Sequence, residues 1–299
     1  MTKEKLQNLL EAAPFFMLAT IARALPRIPA LKLGRLLGRA SRFIVLKRTR
    51  TTIDNLRQAY PEKDNLWIKL QVRQVFEHLG VSAIEMLRLD SLNSQAQIDK
   101  YFTFEGLEYL EKLKREKTSA FIMTAHIGFW ESGTVIMPTI GFPADFVTKT
   151  IRNPYVDRFF RQQRESTGGH CLDSKHGARR ILRSLSNNRL VCLLLDQHIS
   201  KKHAVIVNFF DRPAYATPII PQIAIKTKTP IIPVFVYRNA DFSYRVVIEK
   251  PLIFSGQVTE ESIQSCTQQL TDIVESAVRK QPDQWFWVHR RWRKSAEKK

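Results

Sequence analysis

Residues 124–133 read TAHIGFWESG, and within them His126 and Glu131 are the side chains whose types could move a proton. An imidazole can take a proton from a hydroxyl near neutral pH, and a carboxylate on its other ring nitrogen fixes the tautomer and supports the charge gained. Five positions of ideal helix turn through about 500°, so the two would point from different faces of one helix. They can meet only if His126 precedes a helix and Glu131 lies in its first turns. The apolar run SAFIMT just upstream reads as a strand, which puts His126 at a strand's carboxyl end and at a strand-to-helix junction. A core histidine beside a solvated glutamate would give the same spacing, so spacing alone leaves both open.

The elements that must position this pair fall into two blocks. Residues 1–100 read as helical: LGRLLGRASRFIVL and NLWIKLQVRQVFEHLGVSAIEMLRL both carry apolar residues at helical spacing. From about Tyr101 short apolar runs alternate with helical stretches. Strands are expected over residues 101–104, 119–124, 145–148, 189–195, 204–208 and 231–237, with one more at 244–248 nearer an edge. Helices are expected over 153–164, 175–186, 218–226 and 260–280. Strands apolar on both faces and separated by helices indicate an α/β fold, a mainly parallel mixed sheet flanked by helices. The division is thus an N-terminal helical module, 1–100, and an α/β core, 101–299, whose site lies beyond the strands' carboxyl ends.

Charge narrows the partners. The chain has 47 Lys and Arg against 28 Asp and Glu, a formal net charge of +19. Such a surface suits nucleic acid, an anionic bilayer or an acidic protein. Residues 1–60 hold 12 basic and 3 acidic residues, beside the apolar run PFFMLATIARAL. That run is shorter than the roughly 20 residues a spanning helix needs and is followed by Pro26, Arg27 and Pro29. It fits a helix lying in a bilayer interface, with a helix packed on the protein's own core as the alternative. Cys171, Cys192 and Cys266 form no CxxC pair, which argues against a disulfide framework and for a reducing compartment. Cys192, inside LVCLLL, reads as a buried, inert thiol.

HIGFWE resembles the H-x4-D/E motif of the lysophospholipid acyltransferase superfamily, and the wider chain resembles its lipid A biosynthesis branch of late acyltransferases. The resemblance runs from about Ala22 to Trp292. It is carried by LGRLLGR, TTIDNLRQAYPE, FEHLGVSAIEMLRL, FVTKTIRNPYVDRFFRQQRESTGG, LLLDQHISKKHAVIVNFFDRPAYATP, TPIIPVFVYR and WFWVHRRWR in that order. It implies an α/β acyltransferase with His126 as base on the acceptor hydroxyl and Glu131 as its orienting carboxylate. Attack on an acyl thioester would be direct, in keeping with the lack of a GxSxG nucleophile elbow. Within the second block, Lys149, Arg152, Asn153 and Arg164 surround a turn that opens a helix, where Arg forks and helix N–H groups suit a phosphate. Arg158 and Arg161 read as solvated helix charges. Asp196 and Gln197 follow LVCLLL at another carboxyl edge and are expected to bind substrate. The superfamily's Pro-Glu-Gly run is missing there, which leaves the role of Asp196 open. Asp196, His198 and His203 match no established metal spacing, and neither metal nor cofactor is expected.

The implied donor is an acyl thioester on acyl carrier protein or coenzyme A, and the implied acceptor a lipid A precursor at the cytoplasmic face of a bacterial inner membrane, with residues 1–100 associating with the anionic membrane surface. Other lipid acceptors (a lysophospholipid, an ornithine lipid or a glycolipid) fit the same chemistry, as does a hydrolase using the same pair on water. The aromatic and basic cluster formed by Trp285, Phe286, Trp287, His289, Arg290, Arg291, Trp292 and Arg293 suits a bilayer interface, although it could also stack on single-stranded nucleic acid. No nucleic-acid-binding motif is evident, and nucleic acid is not expected as a partner.

Overall fold

The computed structural model of the chain describes residues 2–174 and 177–292. Lys175, at the start of an expected helix, and Arg293 of the closing cluster lie outside them. Helical order begins at once: the Thr2 hydroxyl accepts from the Lys5 amide and caps α1 (Lys3–Ala24). After Pro26 the chain enters α2 (Arg27–Ser41), then α3 (Leu46–Ala59), α4 (Asn65–Met86, capped by Asp64) and α5 (Gln95–Tyr101). The run LGRLLGRASRFIVL is therefore not one helix. It stops at Ser41, whose hydroxyl bonds back to the Gly38 carbonyl at 2.7 Å, and residues 42–45 turn into α3. Glycine lets α2 and α4 cross in backbone contact: a Cβ on Gly38 would lie 2.1 Å from the Phe76 carbonyl oxygen, and one on Gly80 2.1 Å from that of Gly34.

The α/β part follows as β1 (Phe102–Glu105), α6 (Leu107–Arg115), β2 (Ala120–Thr124), α7 (Gly133–Thr139), β3 (Ala144–Thr148), α8 (Pro154–Glu165), β4 (His170–Asp173), α9 (Gly177–Ser186) and β5 (Leu190–Leu194). It continues through β6 (Val205–Phe209), β7 (Arg212–Ala216), α10 (Ile219–Thr227), β8 (Ile231–Arg238), β9 (Tyr244–Ile248) and α11 (Glu260–Lys280). The seven-stranded sheet has the order β1-β9-β8-β2-β5-β3-β4. Its neighbours are parallel except β8 and β9, which run antiparallel. The expected strand at 204–208 is β6, which pairs antiparallel with β7 in a separate hairpin instead of joining the sheet. Two strands escaped the pattern for local reasons: β4 (HCLD) is short and half polar, and β7 (RPAYA) contains Pro213.

Alternation along the strands splits the core into two layers. Phe121 and Met123 of β2 and Ile231 and Phe235 of β8 face α3, α4, α9, α10 and α11, where Leu56, Val72, Phe76, Ile181 and Leu270 are buried with them. Ala120 and Ile122, with Ile232 and Val234, face α6 and α7 on the other side. The helical lead-in thus shares one core with the sheet. Burial on both faces explains why β8 is covered along its whole length and reads as a continuous apolar run.

The close crossing of α2 and α4 is testable. Gly80→Leu should drive the two backbones apart and destabilise the fold by about 3 kcal/mol, the upper end for overpacking a close contact. A chemical denaturation midpoint equal to that of the parent protein would contradict the backbone-to-backbone packing.

Candidate active site

Strands β2 and β5 are parallel neighbours, with Thr124 opposite Leu194. Two residues beyond each end stand His126 and Asp196, so the sheet register itself sets them side by side at the carboxyl edge. Asp196 Oδ1 lies 2.8 Å from His126 Nδ1, and its Oδ2 accepts from the His126 backbone amide at 3.1 Å and from the Trp285 indole N–H at 2.7 Å. Asp196 is only 2% exposed. Burial alone would raise its pKa, but the neighbouring imidazole and these donors outweigh burial and hold the carboxyl below its usual range. An acceptor-only carboxylate on Nδ1 makes that nitrogen the N–H and leaves Nε2 with the free lone pair. The Gln197 amide nitrogen sits over the ring, 3.2 Å from Nε2 and 3.5 Å from Nδ1, so it does not lie along the in-plane lone pair of Nε2. Above the imidazole, Trp130 and Phe286 lie with ring centroids 5.2 and 5.6 Å from it.

The turn after His126 is fixed by backbone bonds. The Gly128 amide donates to the Gln284 carbonyl and the Phe129 amide to the Val236 carbonyl, at 3.0 and 3.2 Å. Gly128 has φ +58°, and a Cβ there would fall 1.7 Å from the Val236 oxygen, so only glycine fits. A short 3-10 turn, Trp130–Ser132, then carries Glu131 away from the imidazole. Arg164 of α8 meets it there in a two-point pair, Nε to Oε2 at 2.9 Å and Nη2 to Oε1 at 2.8 Å. The expectation that Glu131 orients His126 is therefore corrected: Asp196 holds the ring, and Glu131 holds Arg164. The left-handed turn at Gly128 is the physical cause, because it redirects the chain before a regular helix can form.

Glu131, Arg164 and Trp130 also line a mostly apolar cavity of about 60 Å³, whose other walls include Ile122, Met137, Phe146, Cys192 and Val234. It opens under the sheet's carboxyl edge, next to the imidazole by way of Trp130. The Cys192 side chain belongs to this wall, and burial pushes its thiol well above the ordinary range, in line with an inert role.

The remaining expected residues are distributed as follows. Lys149 and Arg152 are exposed in the loop between β3 and α8. Asn153 is committed to structure: its side-chain oxygen accepts from the Tyr155 and Val156 amides and caps α8, and its amide donates to the Asn8 carbonyl of α1 at 2.8 Å. Arg161 pairs with Glu165 one turn on. The closing cluster is not an interfacial belt. Trp285, Trp287, Trp292 and Arg291 are buried, and Arg291 donates to the Tyr215 carbonyl at 2.6 Å with its pKa lowered to about 10 by burial. Sequence reasoning missed the bond from Trp285 to Asp196; a tryptophan among basic residues carries no signal separating a headgroup anchor from a buried donor.

The bacterial lipid A biosynthesis acyltransferase family matches residues 3–294. A lipid A biosynthesis acyltransferase of Haemophilus influenzae is 26% identical over 260 residues, covering 86% of this chain and 78% of its own length. The lipid A biosynthesis palmitoleoyltransferase of Escherichia coli is 20% identical over 263 residues, covering 87% and 84%. Among solved structures, the 1-acyl-sn-glycerophosphate acyltransferase of Thermotoga maritima aligns over 79% of this chain and 96% of its own at 13% identity, with a TM-score of 0.39. The chain belongs to the bacterial lipid A biosynthesis acyltransferase family, and it is a transferase.

The buried carboxylate yields a test with two readouts. Asp196→Asn keeps the shape but offers Nδ1 a competing N–H donor, so turnover should fall by about 100-fold or more. Because the native carboxyl is held below its usual range, its stabilising contribution is present at neutral pH and is lost as pH falls through and below about 4. Melting curves of the parent should therefore converge on those of the variant in acid. Parallel pH profiles would contradict the ionised, paired state of Asp196.

Proposed function

We propose that this protein transfers a fatty acyl chain from an acyl thioester, on acyl carrier protein or coenzyme A, to a hydroxyl of a lipid A precursor, with His126 as general base. The single observation behind this reading is the buried Asp196 on His126 Nδ1, which leaves Nε2 as the ring nitrogen with a free lone pair. In the reaction the acceptor hydroxyl meets Nε2 along its in-plane lone pair and gives up its proton as its oxygen attacks the thioester carbonyl. A C–O bond forms, the C–S bond breaks, and the proton passes from the imidazolium to the departing thiolate. Asp196 supports the ring while it is charged.

Family membership and the apolar cavity beside Trp130 support acyl transfer to a lipid acceptor. The cavity is small as it stands, and the unbranched Met137 is the wall residue best able to yield to an acyl chain. In this reading the pair of Glu131 and Arg164 keeps one guanidinium fixed at the cavity mouth, where its remaining N–H groups can meet the thioester oxygen or a phosphate of the acceptor. Lys149 and Arg152 add exposed positive charge on the same edge, suited to a phosphorylated headgroup or donor. The +19 net charge favours an acidic carrier protein as donor and an anionic membrane surface as the working site, at the cytoplasmic face of the inner membrane, with residues 1–100 as the associating module.

The test is direct. His126→Ala should abolish transfer to a lipid A precursor from acylated carrier protein while the melting temperature stays near that of the parent. Donor supplied without acceptor should leave the protein mass unchanged, since the thioester is attacked by the acceptor itself. A stable acyl adduct, or near-normal turnover by the folded variant, would overturn this mechanism.

A further inference from the structure

The turn between α2 and α3 presents Phe43, Ile44, Val45 and Leu46, which are 68%, 79%, 42% and 54% exposed. These are four consecutive large apolar residues held in water by an ordered turn. The Ile44 and Val45 amides both donate to the Ser41 carbonyl at 2.9 Å, and the Thr49 hydroxyl donates to the Arg42 carbonyl at 2.6 Å. The exposure is thus built into the turn. Because α2 runs antiparallel to α4, with Gly38 against Phe76 and Gly34 against Gly80, the end of α2 lies beside the start of α4. There Leu66 and Leu70 are also exposed, at 64% and 48%. Isolated exposed apolar side chains need no explanation, but a contiguous protruding group of them marks an interaction surface.

The charge around this group identifies its partner. Residues 12–53 contain nine Arg and Lys and not one Asp or Glu. Arg39, Lys47, Arg48 and Arg50 are exposed around the turn, and the Arg42 guanidinium lies 4.4 Å over the Phe43 ring. An apolar tip ringed by cations matches an anionic lipid surface, whose acyl region takes the tip and whose headgroups take the rim.

The turn is also coupled to the site. Arg48 donates to the Val288 carbonyl at 3.2 Å, and Asn55 donates to the Trp287 and His289 carbonyls, both at 2.7 Å. The same segment carries Phe286, whose amide donates to the His126 carbonyl at 3.1 Å.

We propose that residues 43–46 form a wedge that inserts into an anionic phospholipid bilayer and, through α3 and residues 286–289, sets the position of His126 relative to the membrane surface. This deepens the reading of the chain as an acyltransferase acting on a membrane lipid, and rests on it for its purpose but not for its test. Sedimentation with phosphatidylethanolamine–phosphatidylglycerol vesicles needs neither donor nor acceptor. The double variant Phe43→Ser/Ile44→Ser should bind them at least about 10-fold more weakly, as expected for removing two inserted apolar groups. Its turnover on detergent-dispersed acceptor should equal that of the parent, because neither residue touches the site. In a second variant, Phe43→Trp, the added indole emission should shift to the blue on vesicles and be quenched by brominated lipid. Unchanged vesicle binding by the double variant, or an added indole emission that brominated lipid leaves untouched, would overturn the wedge and return the patch to a protein partner. Loss of turnover by the parent protein in detergent would instead strike the acyltransferase reading and leave the wedge standing.

Discussion

A carboxylate buried to 2% exposure must be held by donors or it will not stay ionised, and Asp196 is the group around which the rest of the site is arranged. Its three donors come from two places far apart in sequence: the His126 amide and ring at the end of β2, and the Trp285 indole in the segment after α11. That segment in turn is fastened by Asn55 of α3 and by the exchange of backbone bonds between residues 126–128 and 284–286. Asp196 thus ties the central sheet to the closing segment, and Asn55 ties that segment to the helical lead-in.

The tautomer follows from the same arrangement. Nδ1 faces an acceptor and must carry the proton, so the lone pair lies on Nε2. The Glu131–Arg164 pair stands outside this network. Both side chains line the apolar cavity, and Arg164 takes both oxygens of Glu131. The two carboxylates therefore have separate partners, the imidazole for Asp196 and a guanidinium for Glu131.

Much of this was legible in the sequence, and the failures have physical causes. His126 at a strand end, Asp196 and Gln197 at a second strand end, the parallel strands and the long helix α11 all follow from apolar periodicity. Glu131 did not read correctly because spacing along a chain says nothing of a left-handed turn, and Gly128 was the residue that could have signalled one. The pairing of Arg164 with Glu131 went unread because the two lie 33 residues apart. The closing tryptophans read as an interfacial belt because composition cannot separate a buried indole from one at a headgroup. The N-terminal helices sit between these cases. Helix α1 buries Ala12, Ala19 and Ala22 and packs Phe15 against Phe159 and Phe160, so it is partly a core element. It leaves Leu10 and Met17 exposed at 65% and 64%, and among the described residues no helix is long and apolar enough to cross a membrane. The larger apolar projection is the turn at residues 43–46, which the sequence pattern had merged into a helix.

The most direct test of the central claim is the tautomer of His126, read by nitrogen-15 NMR of the imidazole ring in protein labelled at histidine and assigned with His126→Gln. The expected result is a ring that in its neutral form carries the proton at Nδ1, with that proton shifted downfield by its bond to Asp196 and the signal altered by Asp196→Asn but not by Glu131→Gln. A ring protonated at Nε2, or one that responds to Glu131→Gln and not to Asp196→Asn, would contradict it.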